Sequence, residues 1–309
     1  MQFRYLDLPL EIKDLALDYL DIISLVNLSE ACRDARVLVT CYLHKRVQAI
    51  LHPFGLDWLR LLPAMEKYRA VIGGLCALKA VVPAAWPFNL VTNSLYFYVP
   101  KDTGHLFVQE LKCFGEFGLT KDGNFHCEVD EVFMQQIWSL KDEGIESPIF
   151  LHVIESIMDN HLEPIFQFPS THIMNFITSN GIFVAYSALT SAAKGLVNYS
   201  LGGELERRRI QQVAKTHTAH GFTVLADFPK LISEGHVCGL DFSCPLTIRS
   251  TIDGGTTFVP IYASHPLKRG DENIDALVWS IGAQPCNSAN RRLEGFIKKA
   301  NVVPEYTYW

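Results

Sequence analysis

The apolar residues of this 309-residue chain change their spacing near residue 70. Before that point they recur every three or four positions. Leu8, Ile12, Leu15, Tyr19 and Leu20 make one stripe; Leu25, Leu28, Cys32 and Ala35 make a second. This is the period of a helix, about 3.6 residues. After it they gather in short runs bounded by turn residues, the pattern of short strands between helices. The expected class is therefore α/β (α+β), a mixed sheet flanked by helices and preceded by a small helical module. Strands are expected over 70–72, 95–99, 149–154, 223–226, 258–261 and 276–281. Helices are expected over 77–82, 104–114, 130–140, 173–177, 188–198 and 204–219. The chain then divides into a helical module (1–48), a helical connector (49–69) with a core stripe of Trp58, Leu59, Leu61 and Leu62, and an α/β domain (70–309).

Local chemistry supports the first helices. Pro9 suits the first helical position, where its missing N–H costs nothing. Glu11 in the first turn complements the helix dipole. The stretch 21–24 interrupts the helix, and Ser24 is placed to cap the next one.

Bulk properties narrow the partners. About half the residues are apolar (49%) and 19% are charged, with a net charge of -6 and a pI near 6.0. A broad nucleic-acid or anionic-membrane surface would need the opposite sign of charge, so neither partner is expected. No stretch reaches the ~18 unbroken apolar residues of a membrane span. The longest candidate, 70–91, contains Lys79, Pro83 and Pro87. Asp7, Glu11 and Asp14 break up any signal-peptide core, so a cytoplasmic or nuclear, intracellular location is expected. The eight dispersed cysteines are then expected to be reduced thiols. The sequons at Asn27 and Asn198 are read as chance matches.

Residues 8–39, LPLEIKDLALDYLDIISLVNLSEACRDARVLV, carry Leu8-Pro9-x-Glu11-Ile12, then Leu20-Asp21, Leu25, Leu28 and Cys32-Arg33. This stretch resembles the F-box, a helical module that docks onto the Skp1 adaptor of ubiquitin ligases. Ala35 stands where many F-boxes carry Trp. The resemblance implies a Skp1-type adaptor as partner, bound through Leu8, Pro9, Ile12, Leu25 and Leu28.

The α/β part opens on Ile72-Gly73-Gly74 and an expected helix, followed by SLYFYVP at 94–100. A glycine pair before a helix lets the backbone approach a phosphate, and the helix N-terminus attracts its charge. SLYFYVP and the stretches FQFPSTHIMNFITSNGIFVAYSALT (166–190) and HVCGLDFSCPLTIRSTIDGG (236–255) resemble fungal nucleotidyltransferase-like proteins over most of 68–285. In that fold the strand after the glycines carries two carboxylates on one face, and a neighbouring strand adds a third, together holding Mg²⁺. Here Ser94 and Tyr96 occupy the first two places and His152 the third, with Glu155 nearby and Asp102 beyond the other strand. Hydroxyls and imidazole do not offset divalent charge as carboxylates do. The resemblance thus implies a degenerate nucleotide site, a pseudoenzyme without a cofactor. Its rival is a divergent Mg-dependent nucleotidyl- or phosphoryl-transferase working at Gly73, Gly74, Ser94 and Glu155. A third reading is a purely structural protein.

Other chemistry is sparse. His236-x-Cys238-x₅-Cys244 offers three zinc-type ligands, with Cys286 or His220 as a fourth, although the spacing fits no standard zinc motif. Pro285-Cys286 lacks the second cysteine of a zinc deaminase. His126-Cys127-Glu128 is expected in a polar turn, and His172, among aromatic residues, as a hydrogen-bonded core histidine. Arg207, Arg208, Arg209 and Lys215 read as a solvated helix face. The expected function is a non-catalytic binding or adaptor protein, with an unidentified protein or ligand on the larger domain.

Overall fold

A computed structural model describes residues 8–84, 93–115, 117–120, 134–142, 149–158, 160–200, 218, 221–225, 237–261 and 276–282. Three helices come first: α1 (Leu10–Leu17), α2 (Ile22–Ala31) and α3 (Arg33–Leu51). The Pro9 carbonyl accepts from the N–H groups of Ile12 and Lys13 and so opens α1. The cap of α2 is Asp21, not Ser24: its carboxylate accepts the Ser24 N–H at 2.7 Å. An anionic acceptor just before a helix satisfies an orphan donor and complements the dipole. Cys32 does the same for α3 with its sulfur, accepting from Ala35 N–H at 3.4 Å. Helix α3 runs unbroken through residue 48, where the sequence suggested a boundary. After it comes α4 (Trp58–Lys67), tied back by Gln48, whose Oε1 accepts the Trp58 N–H at 2.7 Å.

The strands are β1 (Val71–Gly73), β2 (Ser94–Val99), β3 (Phe117–Thr120), β4 (Met134–Asp142), β5 (Phe150–Ser156), β6 (Asn175–Ile177), β7 (Gly181–Val184) and β11 (Thr257–Pro260). They make one mixed sheet in the order β11-β7-β6-β1-β2-β5-β4-β3. Only β2 and β5 run parallel in it; the other neighbours are antiparallel. Two small pairs lie apart, β8 (Lys194–Leu196) with β9 (Thr223–Leu225), and β10 (Arg249–Ser250) with β12 (Val278–Trp279). Helices α5 (Gly74–Val81), α6 (Gly104–Lys112), α7 (Glu163–Phe166) and α8 (Ser187–Ser191) complete the described elements. None of the described helices is long and apolar enough to cross a membrane. The class the fold defines is a mixed α/β protein, as the spacing predicted.

Alternation along the strands divides the sheet into two apolar faces. Leu95, Phe97, Val99, Leu151 and Val153 point into one cluster, with Phe107 and Leu111 of α6 and Ala77 and Val81 of α5. Leu17, Leu25, Leu43, Trp58 and Leu61 of the N-terminal helices belong to the same cluster. Tyr98, Ile154, Phe176 and Phe183 point the other way, onto Phe166, Phe168, Tyr186 and Trp279. Arg46 reinforces the first layer: it is buried on α3 and donates from Nη2 to the Lys79 carbonyl near the end of α5 at 3.0 Å. A cation there meets the negative end of the helix.

Several sequence expectations change. In place of the helix expected over 130–140, the described residues 134–142 form β4, bonded to β5 on one side and β3 on the other. Two-sided backbone pairing and the pleated packing of Trp138 and Leu140 override a stripe that also fits a helical period. Residues 173–177 hold the end of a 3-10 turn (Thr171–Ile173) followed by β6. The expected helix 188–198 stops at Ser191, breaks at Ala193 with φ +53, and continues as β8. The stretch 204–219 lies outside the described residues except for Thr218.

The N-terminal apolar residues divide between surface and core. Ile12, Leu15 and Tyr19 are 46%, 55% and 69% exposed, whereas Leu17 and Leu25 are fully buried. In the connector Trp58 and Leu61 are buried but Leu59 is not. Urea unfolding should therefore separate the two sets. Leu25→Ala should cost about 2–5 kcal/mol through the cavity it leaves, and Leu15→Ala should stay within about 0.5 kcal/mol of the parent. Equal losses would contradict this packing.

Candidate functional site

The glycine pair lies where β1 turns into α5. Gly74 has φ +69, a conformation that L side chains rarely adopt. At Gly73 an added Cβ would press on the Tyr98 ring at 2.7 Å. Gly73 pairs with Tyr96 across β1 and β2, and Tyr96 pairs with His152 across β2 and β5. The Tyr96 and His152 rings stack at 4.8 Å with 21° between their planes. Phe150 continues the stack, 6.0 Å from His152. On the far side His152 pairs with Ser139 of β4, and Ser139 Oγ and His152 Nδ1 share a hydrogen bond of 2.9 Å. Ser94, two residues before Tyr96, shares its face and is half-buried. Its carbonyl accepts from the Cys76 thiol at 3.7 Å.

The structure thus brings Gly73, Gly74, Ser94, Tyr96 and His152 to one face of the sheet. Ser139 joins them, a residue missed because its segment reads as helix. Strand alternation would have placed it there once β4 was known.

Glu155 is not with them. It follows Leu151 and Val153 onto the opposite face of β5. Its Oε2 accepts the Gly104 N–H at 2.7 Å, at the N-terminus of α6, and the residue is 3% exposed. A Cβ on Gly104 would collide with the Trp138 ring and with that same oxygen. The carboxylate that the transferase reading assigned to chemistry is an anchor for α6. Asp102 sits exposed in the turn after β2, with φ +63.

The remaining row is uncharged at neutral pH. Burial pushes the His152 imidazole down from 6.5 to about 4, so it is neutral at pH 7. A phenol, two serine hydroxyls and a neutral imidazole can hydrogen-bond and stack, but they supply no anion for Mg²⁺.

Among the described residues, no three His, Cys, Asp or Glu side chains come close enough to hold a metal ion. Cys238 and Cys244 do meet, with their sulfurs 3.9 Å apart, while His236 lies outside the described residues. So do His126, Cys127, Glu128, Arg207, Arg208, Arg209, Lys215, His220 and Cys286. His172 is fully buried, shares a 2.8 Å hydrogen bond with Ser170 through Nδ1, and stacks on Phe222 at 4.5 Å. That is the hydrogen-bonded core histidine its neighbours predicted.

Sequence reasoning also passed over Arg249. Its guanidinium is almost fully buried, pairs with Asp253 at 2.7 Å, and lies 4.5 Å over the Tyr186 ring. Nothing in its short local pattern marks it, because Tyr186 and Trp279, which face it, are distant in sequence. No protein-family model, curated protein or solved structure matches the chain.

The depressed His152 value has a consequence for stability. The unfolded chain takes up the proton more readily, so the stabilisation is whole above 6.5 and is lost as pH falls toward 4. Through this group the fold should lose about 2 kcal/mol between neutral pH and about pH 5. His152→Phe should flatten that part of the stability profile in urea titrations at stepped pH, and an unchanged slope would count against it. Glu155→Gln keeps the shape but weakens the buried acceptor of the Gly104 N–H. It should cost about 1–2 kcal/mol in the same assay.

Proposed function

We propose that the chain is a non-catalytic adaptor: an F-box-like helical module carried on a nucleotidyltransferase-like domain that has lost its metal carboxylates. The observation that carries this reading is the outward face of α1. Pro9, Leu10, Ile12, Leu15 and Tyr19 are exposed, although their spacing belongs to a face that a helix normally buries. A contiguous apolar stripe left open on a folded protein is the usual mark of a partner site. The partner proposed is a Skp1-type adaptor, on the F-box resemblance of residues 8–39.

The geometry revises which residues would make that contact. Leu25 is fully buried in the chain's own core, and Leu8 and Leu28 are half-buried. Leu28 packs against the core cluster. The docking face proposed is therefore Pro9, Ile12, Leu15 and Tyr19, with Leu8 and Leu28 at its margin. The larger domain supports the non-catalytic part of the proposal through its uncharged row at Ser94, Tyr96 and His152.

A second reading, a divergent Mg-dependent transferase or a relic nucleotide pocket, rests on the left-handed Gly74 at the start of α5. ATP or CTP that binds only the folded state raises the melting temperature by mass action. A rise that requires Mg²⁺ would favour the transferase. A rise indifferent to the metal would favour the relic pocket.

The adaptor proposal is tested by capture of purified Skp1 on the immobilised protein. Ile12→Asp with Leu15→Asp should reduce capture at least tenfold while leaving the melting temperature within a few degrees. Failure of the parent protein to capture Skp1, or equal capture by the double variant, would remove this reading.

A further inference from the structure

The segment after residue 236 is a tight sequence of turns. Leu240 and Asp241 donate their N–H groups to the Val237 carbonyl, both at 3.1 Å, and Asp241 Oδ2 accepts the Val237 N–H at 2.8 Å. Cys244 N–H and Thr247 Oγ1 both donate to the Asp241 carbonyl, at 2.8 and 2.6 Å. Gly239 takes φ +82, which folds the chain back on itself. The fold-back sets the Cys238 and Cys244 sulfurs 3.9 Å apart, and Gly239 N–H donates to Cys244 Sγ at 3.3 Å. Neither cysteine is in a disulfide; Cys244 is buried and Cys238 is half-buried.

We propose that Cys238 and Cys244 are a reversible redox pair, a dithiol that a peroxide converts into an intramolecular disulfide. The sulfurs already touch, and the bond of about 2 Å needs a further approach that side-chain rotation within a turn can supply. Access assigns the order of events. Cys238, the more exposed, attacks the peroxide as thiolate; the O–O bond breaks, water leaves, and a sulfenic acid forms on Cys238. Cys244 then attacks that sulfur, displacing a second water and closing the S–S bond. The peroxide is reduced by two electrons and the two thiols are oxidised by two. An external thiol reverses the step by exchange.

The pair is wired to the rest of the fold. Phe242, within the turn, accepts Arg249 Nη1 at its carbonyl at 2.7 Å, and its ring lies 5.3 Å from the guanidinium. Arg249 Nη2 donates to the Ala185 carbonyl at 2.9 Å, next to β7. Closing the disulfide therefore fixes the turn that carries one wall of the Arg249 site.

The test uses the full chain, treated with hydrogen peroxide, quenched with an alkylating reagent and digested with trypsin. Cys238 and Cys244 fall in one tryptic peptide, residues 231–249, which holds no other cysteine. After oxidation that peptide should be two hydrogens lighter and carry no alkyl group; prior reduction should restore two alkyl groups. Cys244→Ser should leave Cys238 as a sulfenic acid trapped by dimedone, an adduct the parent should form at least tenfold less. Exposed Cys32, Cys41 and Cys113 serve as controls. If those have been oxidised while residues 231–249 keep two alkylated thiols, the proposal is overturned. Cross-linking of this peptide to a different cysteine would overturn it as well.

Discussion

The parallel pairing of β2 with β5 at the middle of the sheet decides more than any other contact. It aligns Tyr96 with His152 and Val99 with Glu155. Because side chains alternate across the pleat, that single register sends His152 to one face and Glu155 to the other. A slip of one residue would reverse both, turning Glu155 toward the Tyr98 face and His152 toward the helix layer. The same register places Phe97 and Val153 together over the helices and Tyr98 and Ile154 together over the opposite layer. The identity of the candidate site and the integrity of both cores thus share one cause.

The N-terminal helices depend on that arrangement. Two of them, α1 with 8 residues and α2 with 10, are too short to hold alone in water. They gain stability by laying Leu17, Leu25, Leu43 and Trp58 on the apolar face that Leu95, Phe97 and Leu151 provide. Tyr42 links them to one another, donating its hydroxyl to Asp18 at 2.8 Å. Helix α1 enters this core mainly through Leu17, so its other apolar side chains remain outside. The helices are therefore both part of the main fold and the bearers of an exposed apolar stripe.

Polar groups inside the protein are mostly assigned to holding elements in place. Glu155 anchors α6, Arg46 meets the end of α5, and Arg249 with Asp253 joins the segment 242–255 to the end of β7. Of these groups only Glu155 invites a catalytic reading in the sequence. Buried charge is expensive unless paired or hydrogen-bonded, and here the partners are backbone groups and one carboxylate. The row at Ser94, Tyr96, His152 and Ser139 is of another kind. It is neutral, aromatic and partly open, suited to stacking and hydrogen bonding.

The sequence by itself determined the change from helical to mixed architecture at residue 70, because apolar periodicity reflects local geometry and is readable residue by residue. It determined the Gly73-Gly74 turn, since a left-handed backbone at a helix start calls for glycine. It also determined the shortage of carboxylates around Ser94 and Tyr96, because residue identity fixes charge. Tertiary structure alone decided that 134–142 is a strand, since its pairing comes from β3 and β5 on either side, which the spacing inside the segment does not report. It alone decided that the α1 stripe faces outward while Leu25 faces in, because a stripe does not say what lies opposite it. And it alone brought Ser139 to His152 and set Cys238 against Cys244, since register and turn closure are relations between residues that no local spacing encodes.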